Sequence, residues 1–287
     1  MTILPQILTG LSEIAGDYDA LICDVWGVVH DGHSPHAAAV DALHRFRESR
    51  GPVVLLSNAP RPVADVENQF ARLAVPLDCY DAIVTSGTVA RDDLAARARG
   101  TTLATLHIGP ERDRGIFEGL AIRFVEKPED AAVVVCTGLY DDDNETPADY
   151  RAMLETLKAR ELTFLCANPD IVVQRGGKLV YCAGALARSY EMIGGACIYY
   201  GKPYAPVYVA TFAALKKAAG RGIIHPLAVG DGIVTDIVGA NAMGVDALFI
   251  ADGIHGEEIP GLAPGLMKGF FDAHHVTARA VMRRLVW

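Results

Sequence analysis

Short runs of apolar residues alternate with amphipathic stretches along most of the chain. The apolar runs are rich in Val, Ile and Leu, and they predict strands. Continuous apolar strands separated by helices are typical of parallel sheets that are covered on both faces. The predicted strands are Ala20–Val25, Val53–Ser57, Ala82–Thr85, Leu103–Ile108, Ala131–Cys136, Thr163–Ala167, Leu227–Gly230 and Asp246–Ile250.

The amphipathic stretches predict helices between these strands. Thr146 and Pro147 indicate where one of them begins, because Thr is a good N-cap and Pro is favoured in the first turn. This order of elements predicts an α/β fold. The predicted helices are Ala37–Ser49, Val63–Leu73, Asp149–Arg160, Tyr208–Ala219 and Thr235–Met243.

Composition excludes several classes of partner. The chain has 287 residues, 51% of them hydrophobic, which suits one large or two moderate domains. The net charge is −9 without a cluster of Lys or Arg, which argues against nucleic acid as the main partner. No apolar run has the length of a membrane span, and Met1–Gly10 lacks the pattern of a signal peptide. The six cysteines form no Cys-x-x-Cys pair, so we expect reduced thiols in a cytoplasmic protein.

Polar residues stand at the ends of three predicted strands. Asp24 ends the first strand, Ser57 and Asn58 end the second, and Asp231 follows the strand Leu227–Gly230. Ligands of open α/β sheets bind at the carboxyl ends of parallel strands, so we expect these residues to meet at one edge. Taken singly, each group also fits a simple turn.

These residue types suit phosphate and metal chemistry. A carboxylate such as Asp24 acts as a covalent nucleophile, a metal ligand or both, and Asp231 is a second oxygen ligand for Mg²⁺. Asp236, five residues further on, either supports the metal or caps the following helix. Ser57 and Lys202 offer a hydroxyl and a positive charge to phosphate oxygens, although Gly-Lys-Pro alone is more typical of a surface turn.

In combination, these motifs resemble the haloacid dehalogenase (HAD) superfamily, and specifically its class IIA, the NagD-like and nitrophenylphosphatase-like hydrolases. Asn168-Pro169-Asp170 is similar to the Asn-Pro-Asp signature of the cap in that class. The resemblance implies a Rossmann-like, doubly wound parallel-sheet core that is interrupted by an inserted α/β cap. We expect the core at residues 1–84 and 200–287 and the cap at residues 85–199. The four core motifs are matched, in order, by Asp24, by Ser57–Asn58, by Lys202 and by Asp231 with Asp236.

The resemblance also implies a reaction. Asp24 attacks the phosphorus of a small phosphorylated substrate, and water then hydrolyses the aspartyl-phosphate. Mg²⁺ is held by Asp24, Asp231 and Asp236 and by the carbonyl of Trp26. A homodimer that forms through the cap is a further expectation. In the family pattern, the phosphate is bound by Ser57, Asn58 and Lys202, and the cap residues Asn168 and Asp170 contact the leaving group.

Trp26 departs from the family pattern, which usually has a second Asp at this position as the general acid. An indole cannot serve as acid or base, and such catalysis is typically worth about 10²–10⁴-fold. Three interpretations stay open: a phosphatase that is slow or restricted to good leaving groups, a proton donor elsewhere (His30, Asp31 or a cap carboxylate), or a non-catalytic protein that binds Mg²⁺ and phosphate.

Other functions are weighed against the phosphatase. A dinucleotide-dependent oxidoreductase is disfavoured, because Asp24 stands where Gly-x-Gly-x-x-Gly would follow the first strand. A phosphotransferase with an alcohol as acceptor is not separated from a hydrolase by these residues. His255 follows the last predicted strand, and we expect an exposed loop residue there rather than one that lines the pocket.

Overall fold

The computed structural model describes residues 4–175, 178–223, 225–259 and 261–287. Residues 1–3, 224 and 260 of the predicted core and residues 176–177 of the predicted cap lie outside these ranges. The chain divides into two compact units. Unit 1 comprises Met1–Ser57, Glu67–Val84 and Tyr208–Trp287, and unit 2 comprises Asn58–Val66 and Thr85–Val207. The domain boundaries given above stay a prediction.

Strands and helices alternate as the hydrophobic pattern predicts. The strands are β1 (Gln6–Ile7), β2 (Ala20–Asp24), β3 (Val53–Ser57), β4 (Ala82–Thr85), β5 (Leu103–Ile108), β6 (Ile122–Val125), β7 (Val133–Cys136), β8 (Phe164–Cys166), β9 (Val172–Arg175), β10 (Lys178–Tyr181), β11 (Cys197–Tyr199), β12 (Pro226–Gly230), β13 (Asp246–Ile250) and β14 (Ala280–Met282). The helices are α1 (Ala37–Ser49), α2 (Val63–Leu73), α3 (Ser86–Arg97), α4 (Arg151–Ala159), α5 (Ala183–Met192), α6 (Ala205–Ala219), α7 (Val238–Ala242) and α8 (Pro264–Ala273).

Unit 1 is built on a seven-stranded sheet in the order β1-β14-β13-β12-β2-β3-β4. Strands β2 and β3 are buried along their whole length, as expected for central strands that are covered on both faces. Strand β2 pairs in parallel with β12 on one side and with β3 on the other. The predicted α/β class with parallel strands is confirmed.

The register of these central strands fixes where the polar residues lie. Cys23 is paired with Val229, and Asp24 is paired with Leu56. Asp24 therefore stands at the same edge as Ser57, the last residue of β3, and as Asp231, which directly follows β12. The three strand ends meet as the sequence predicts.

Unit 2 contains a five-stranded parallel sheet in the order β11-β8-β7-β5-β6 and an antiparallel ribbon of β9 and β10. The predicted start of the helix after Thr146 is confirmed. The Asp149 carboxylate accepts the Thr146 N–H at 2.7 Å and its hydroxyl at 2.9 Å, and Pro147 begins a short 3₁₀ turn before α4. Leu154 and Leu157 of α4 are buried in the core of this unit.

All six cysteines are free thiols, and five of them are buried. No helix in the described ranges combines the length and the hydrophobicity that crossing a membrane requires.

Candidate active site and metal centre

Three carboxylates meet at the carboxyl edge of the sheet in unit 1. Asp24, Asp231 and Asp236 each place one oxygen within 4.8 Å of the others. Their side chains are buried, with exposures of only 5% to 8%. Carboxylates at this spacing repel one another unless positive charge lies among them. Oxygen ligands of this kind are the ones that Mg²⁺ and Ca²⁺ prefer, so the residues present fit a hard divalent cation.

Asp236 enters this cluster through an irregular turn. The sequence predicts a helix over Thr235–Met243, but the structure has a π-helical turn over Ile233–Ile237 before α7 begins. The Asp236 carboxylate accepts the N–H of Gly232 at 3.1 Å and the hydroxyl of Thr235 at 3.4 Å. These bonds hold the side chain back toward the end of β12, beside Asp231.

Asp231 receives support from the loop after β13, and the sequence analysis did not predict this contact. The backbone N–H of Ile254 donates to Asp231 Oδ2 at 2.8 Å. The predicted exposure of His255 is wrong, since its side chain is only 17% exposed and its Nε2 accepts the N–H of Ile233 at 3.4 Å. The available signal was the position of Gly253 after the neighbouring strand β13, at the same sheet edge.

The side chain of Trp26 packs against residues of its own loop. Its ring packs edge-on against the ring of His30, with 5.2 Å between centroids. A Cβ on Gly32, whose φ is +89°, would lie 2.6 Å from the indole, so only glycine fits there. The loop is therefore shaped around an indole at this position.

Neither titratable neighbour of Trp26 in this loop is a ready proton donor. His30 is 1% exposed, its Nδ1 accepts the N–H of Gly32 at 3.0 Å, and burial lowers its pKa to about 4. Asp31 is exposed, and its carboxylate accepts the N–H groups of His33 and Ser34, each at 2.8 Å. Those two bonds lower the pKa of Asp31, the bond from Ser34 most. Asp31 thus closes a turn, and His30 supports the indole.

In unit 2, the predicted phosphate-binding and cap residues form a second cluster. The Asn58 carboxamide accepts the N–H of Lys202 at 2.7 Å and donates to the carbonyl of Lys202 at 3.2 Å. It also donates to Asp170 Oδ1 at 2.9 Å. The Asn168 side chain accepts the N–H of Asp170 at 3.1 Å. Asn58, Asn168 and Lys202 are buried.

The structure thus brings the predicted site residues together in two sets. Asp24, Asp231 and Asp236 share one cluster in unit 1, where Ser57 and Trp26 lie beside the same strand ends. The second set lies in unit 2, where the side chain of Asn58 makes hydrogen bonds to Lys202 and Asp170. Ser57 is buried as well, with 8% exposure.

The acidic residues 141–145 form a loop that bonds both within itself and to basic neighbours. Asp142 pairs with Arg112, and the carbonyl of Asp143 accepts from the ammonium group of Lys178. Asp141 accepts the Asp143 N–H and the Asn144 amide, at 3.1 and 2.9 Å. Glu145 accepts the Tyr150 hydroxyl at 2.6 Å. These contacts account for the loop without a cation.

Models of known protein families match two segments of the chain. A model of haloacid dehalogenase-like hydrolases matches residues 21–123, and a HAD-hydrolase-like model matches residues 199–264. The first segment contains Asp24 and Ser57, and the second contains Lys202, Asp231 and Asp236.

Similar proteins cover almost the whole chain. A crystal structure of a haloacid dehalogenase-like hydrolase from Brucella suis is 42% identical, covers 99% of this chain and 100% of its own, and has a TM-score of 0.85. The ribonucleotide monophosphatase NagD of Escherichia coli is 26% identical over 82% of this chain and 88% of its own length. The D-glycerol 3-phosphate phosphatase of Mycobacterium tuberculosis is 28% identical over 85% of this chain and 66% of its own. The chain therefore belongs to the haloacid dehalogenase superfamily of hydrolases, in its NagD-like class IIA.

Proposed function

We propose that this protein is a Mg²⁺-dependent phosphatase of small phosphorylated metabolites that works through an aspartyl-phosphate on Asp24. The observation that carries the proposal is the buried cluster of Asp24, Asp231 and Asp236 at the carboxyl edge of the sheet. The relatives with named activities are phosphatases, and the protein is a phosphoric monoester hydrolase like them. We also propose that it is cytoplasmic and that it forms a homodimer through the cap.

The metal proposal rests on the chemistry of the cluster. The side chains of Asp24, Asp231 and Asp236 and the carbonyl of Trp26 would hold the ion. A structure of glycerol phosphate phosphatase from Mycobacterium tuberculosis, 26% identical to this chain with a TM-score of 0.64, was determined in complex with magnesium. A divalent ion supplies positive charge that offsets the repulsion between the carboxylates and a phosphate dianion.

The covalent step uses Asp24. One of its carboxylate oxygens attacks the phosphorus, a new P–O bond forms, and the bond from phosphorus to the ester oxygen breaks. The leaving oxygen departs with the electron pair. Water then attacks the phosphorus of the aspartyl-phosphate, which releases inorganic phosphate, and the Asp24 carboxylate is restored. Ser57 and Lys202 are proposed to hold the phosphate oxygens during both steps.

The leaving oxygen needs a proton unless its alcohol is acidic. The indole N–H of Trp26 is far too weak an acid to give up its proton. His30 is enclosed beneath the indole, and the Asp31 carboxylate accepts the hydrogen bonds of a turn. We therefore propose that the enzyme favours aryl and acyl phosphates, whose leaving groups depart without protonation. A carboxylate of unit 2 is the alternative donor.

A second candidate function is a protein that binds Mg²⁺ and phosphate without turnover. Trp26 favours it, because the position that usually provides the acid has none. The presence of Asp24 favours the hydrolase, because a protein that only binds its ligand does not need a nucleophile.

The deciding experiment measures phosphate release from p-nitrophenyl phosphate and acetyl phosphate, with Mg²⁺ and with a chelator. We expect turnover that requires Mg²⁺ and disappears in Asp24→Asn, a variant that keeps the shape of the side chain. Ser12→Ala, an exposed residue in a short 3₁₀ turn outside the carboxylate cluster, is the control for preparation and contaminants. Turnover that survives in Asp24→Asn would refute the covalent mechanism, and binding of phosphate without turnover would favour the second candidate.

A further inference from the structure

The loop after β13 makes one hydrogen bond to Asp231 and one to the turn that follows it. Within this loop, the backbone N–H of Ile254 donates to Asp231 Oδ2 at 2.8 Å. The next residue, His255, accepts through Nε2 the N–H of Ile233, two residues beyond Asp231. Two consecutive residues of one loop thus bond to the Asp231 carboxylate and to the backbone two residues beyond it, and Asp231 belongs to the candidate metal cluster.

The close approach of this loop requires glycine at position 253. A Cβ on Gly253 would lie 2.0 Å from Asp231 Oδ2 and 2.2 Å from Asp231 Cβ. Real Cβ atoms essentially never come this close to another heavy atom, so any side chain at this position would displace the carboxylate. The backbone at 253 therefore forms one wall of the space that Asp231 occupies.

The base of the loop is tied to the end of β14. Ala251 donates its N–H to the Met282 carbonyl, and Asp252 donates its N–H to the Arg283 carbonyl, both at 2.9 Å. The Asp252 carboxylate also accepts from the guanidinium groups of Arg283 at 2.9 Å and Arg284 at 3.2 Å. The loop cannot drift away from Asp231 without breaking these bonds.

The far side of the loop is packed against helix α8. The His255 ring lies 5.6 Å from the ring of Phe270, edge to face, and 6.3 Å from Phe249 of β13. The ring of His274 joins the same aromatic group at 6.4 Å from His255. The ring orientation that presents Nε2 to Ile233 is fixed by this packing.

We propose that His255 and the loop Asp252–Gly256 are a positioning device that sets the orientation of Asp231 and thereby the affinity of the centre for its divalent ion. This inference rests on the proposed function, because it assumes that Asp231 binds the ion. His255 acts through the backbone of Ile233 and the loop acts through Ile254, so neither is itself a ligand. Partners that orient metal ligands in this way typically change metal affinity about 10–100-fold when they are removed.

Two variants test the proposal on the full chain after removal of metal. Gly253→Ala pushes a methyl group into Asp231, and His255→Phe keeps an aromatic ring but loses the acceptor. Their matched controls are Gly265→Ala, where the added Cβ meets no atom within 4 Å, and His274→Phe in the same aromatic group. Mg²⁺ binding is measured by titration calorimetry, and the melting temperature is measured with and without Mg²⁺.

We expect the dissociation constant for Mg²⁺ to rise about 10–100-fold in Gly253→Ala and about 10-fold in His255→Phe, with the controls unchanged. The melting temperature of metal-free His255→Phe should match that of metal-free His274→Phe, and excess Mg²⁺ should restore its turnover. Wild-type affinity in His255→Phe, or in folded Gly253→Ala, would overturn the positioning role while leaving the proposed phosphatase intact. A wild-type protein that binds no divalent ion would overturn both.

Discussion

The carboxamide of Asn58 binds the backbone of Lys202 through both of its ends. Its Oδ1 accepts the Lys202 N–H at 2.7 Å, and its Nδ2 donates to the Lys202 carbonyl at 3.2 Å, although the two residues are 144 positions apart. The remaining hydrogen of Nδ2 is donated to Asp170 at 2.9 Å. With these three bonds, the side chain of Asn58 joins the loop of Lys202 to the loop of Asp170. It would therefore contribute to phosphate binding by placing Lys202.

Removal of the Asn58 carboxamide should therefore reduce catalysis through Lys202. In Asn58→Ala all three bonds are lost, and we expect kcat/KM for p-nitrophenyl phosphate to fall about 100-fold, since small misplacements of catalytic groups have effects of this size. Asn58→Asp should be no better, because it loses both donors and sets a carboxylate against Asp170. Asn144→Ala, which removes an exposed amide that bonds only within its own loop, is the control. Activity of Asn58→Ala within about two-fold of wild type would contradict the prediction.

The meeting of Asp24 and Asp231 could be predicted from the sequence because it follows from the topology of the sheet. Parallel strands carry their carboxyl ends to one edge, so Asp24 at the end of β2 and Asp231 after β12 had to meet once both strands were recognised. The central strands could be recognised because they are buried on both faces and read as continuous apolar runs.

Other features could not be predicted because they depend on tertiary contacts. The hydrogen bond between Asn58 and Asp170 joins loops that are 112 residues apart, so no local sequence pattern predicts it. Strand β11 has only three residues, too few to show a period. Helix α5 is rich in alanine and buries most of its first turns, so it lacks a clear polar face. The π turn at Ile233–Ile237 is set by Asp236 reaching back to Gly232, which a helical pattern does not reveal.

Restoring the acid at position 26 should widen the range of leaving groups. In Trp26→Asp we expect turnover of alkyl phosphates, whose leaving groups need a proton, to rise by about 10²–10⁴-fold. Turnover of acetyl phosphate should change little, because its leaving group is already acidic. The measurement is kcat/KM across a series of esters that differ in leaving-group pKa, which should depend steeply on that pKa in wild type and weakly in the variant.

Trp26→Asn is the matched control for this substitution. It removes the same indole, which packs against His30 and Gly32, but the amide cannot act as a general acid. If Trp26→Asn gains as much activity as Trp26→Asp, the gain comes from space rather than acid catalysis. If neither variant gains, a donor elsewhere already protonates the leaving group.

Arg61 and Asp113 form an ion pair inside unit 2 that should contribute strongly to stability. Arg61 Nε lies 2.8 Å from Asp113 Oδ1, and the Asp113 side chain is only 3% exposed. Burial raises the pKa of Asp113, and the guanidinium of Arg61 opposes that rise. Arg61→Ala would leave the buried carboxylate without this partner, and we expect a loss of about 2–4 kcal/mol in the free energy of unfolding.

Urea denaturation checks this value, and Arg45→Ala provides the comparison. Arg45 pairs with Asp41 on helix α1, where both side chains are about half exposed, so its removal should cost less than about 1 kcal/mol. Addition of Asp113→Asn to Arg61→Ala should recover part of the loss, because the amide carries no charge. Equal losses for Arg61→Ala and Arg45→Ala would show that the buried pair is no stronger than a surface one.

His107 should make unit 2 less stable in acid. Its ring is buried against Phe117 and bonded to Thr137 Oγ1 at 2.9 Å, and burial lowers its pKa from 6.5 to about 4. The unfolded chain therefore binds this proton more tightly, so the contribution of neutral His107 is complete above pH 6.5 and is lost as the pH falls toward 4. Within that window the free energy of unfolding falls by about 1.4 kcal/mol for each pH unit. His107 therefore lowers the free energy of unfolding by about 2 kcal/mol between about pH 7.5 and about pH 5.

The His107→Gln variant isolates this contribution, since glutamine retains polar atoms near Thr137 but does not titrate. Urea denaturation at both pH values should show that the difference in unfolding free energy is smaller in His107→Gln than in wild type by about 2 kcal/mol. Leu157→Ala, in a separate part of the core of unit 2, lowers stability without removing a titrating group and should keep the wild-type difference. An unchanged difference in His107→Gln would mean that His107 stays neutral in the unfolded chain or charged in the folded one, contrary to its burial.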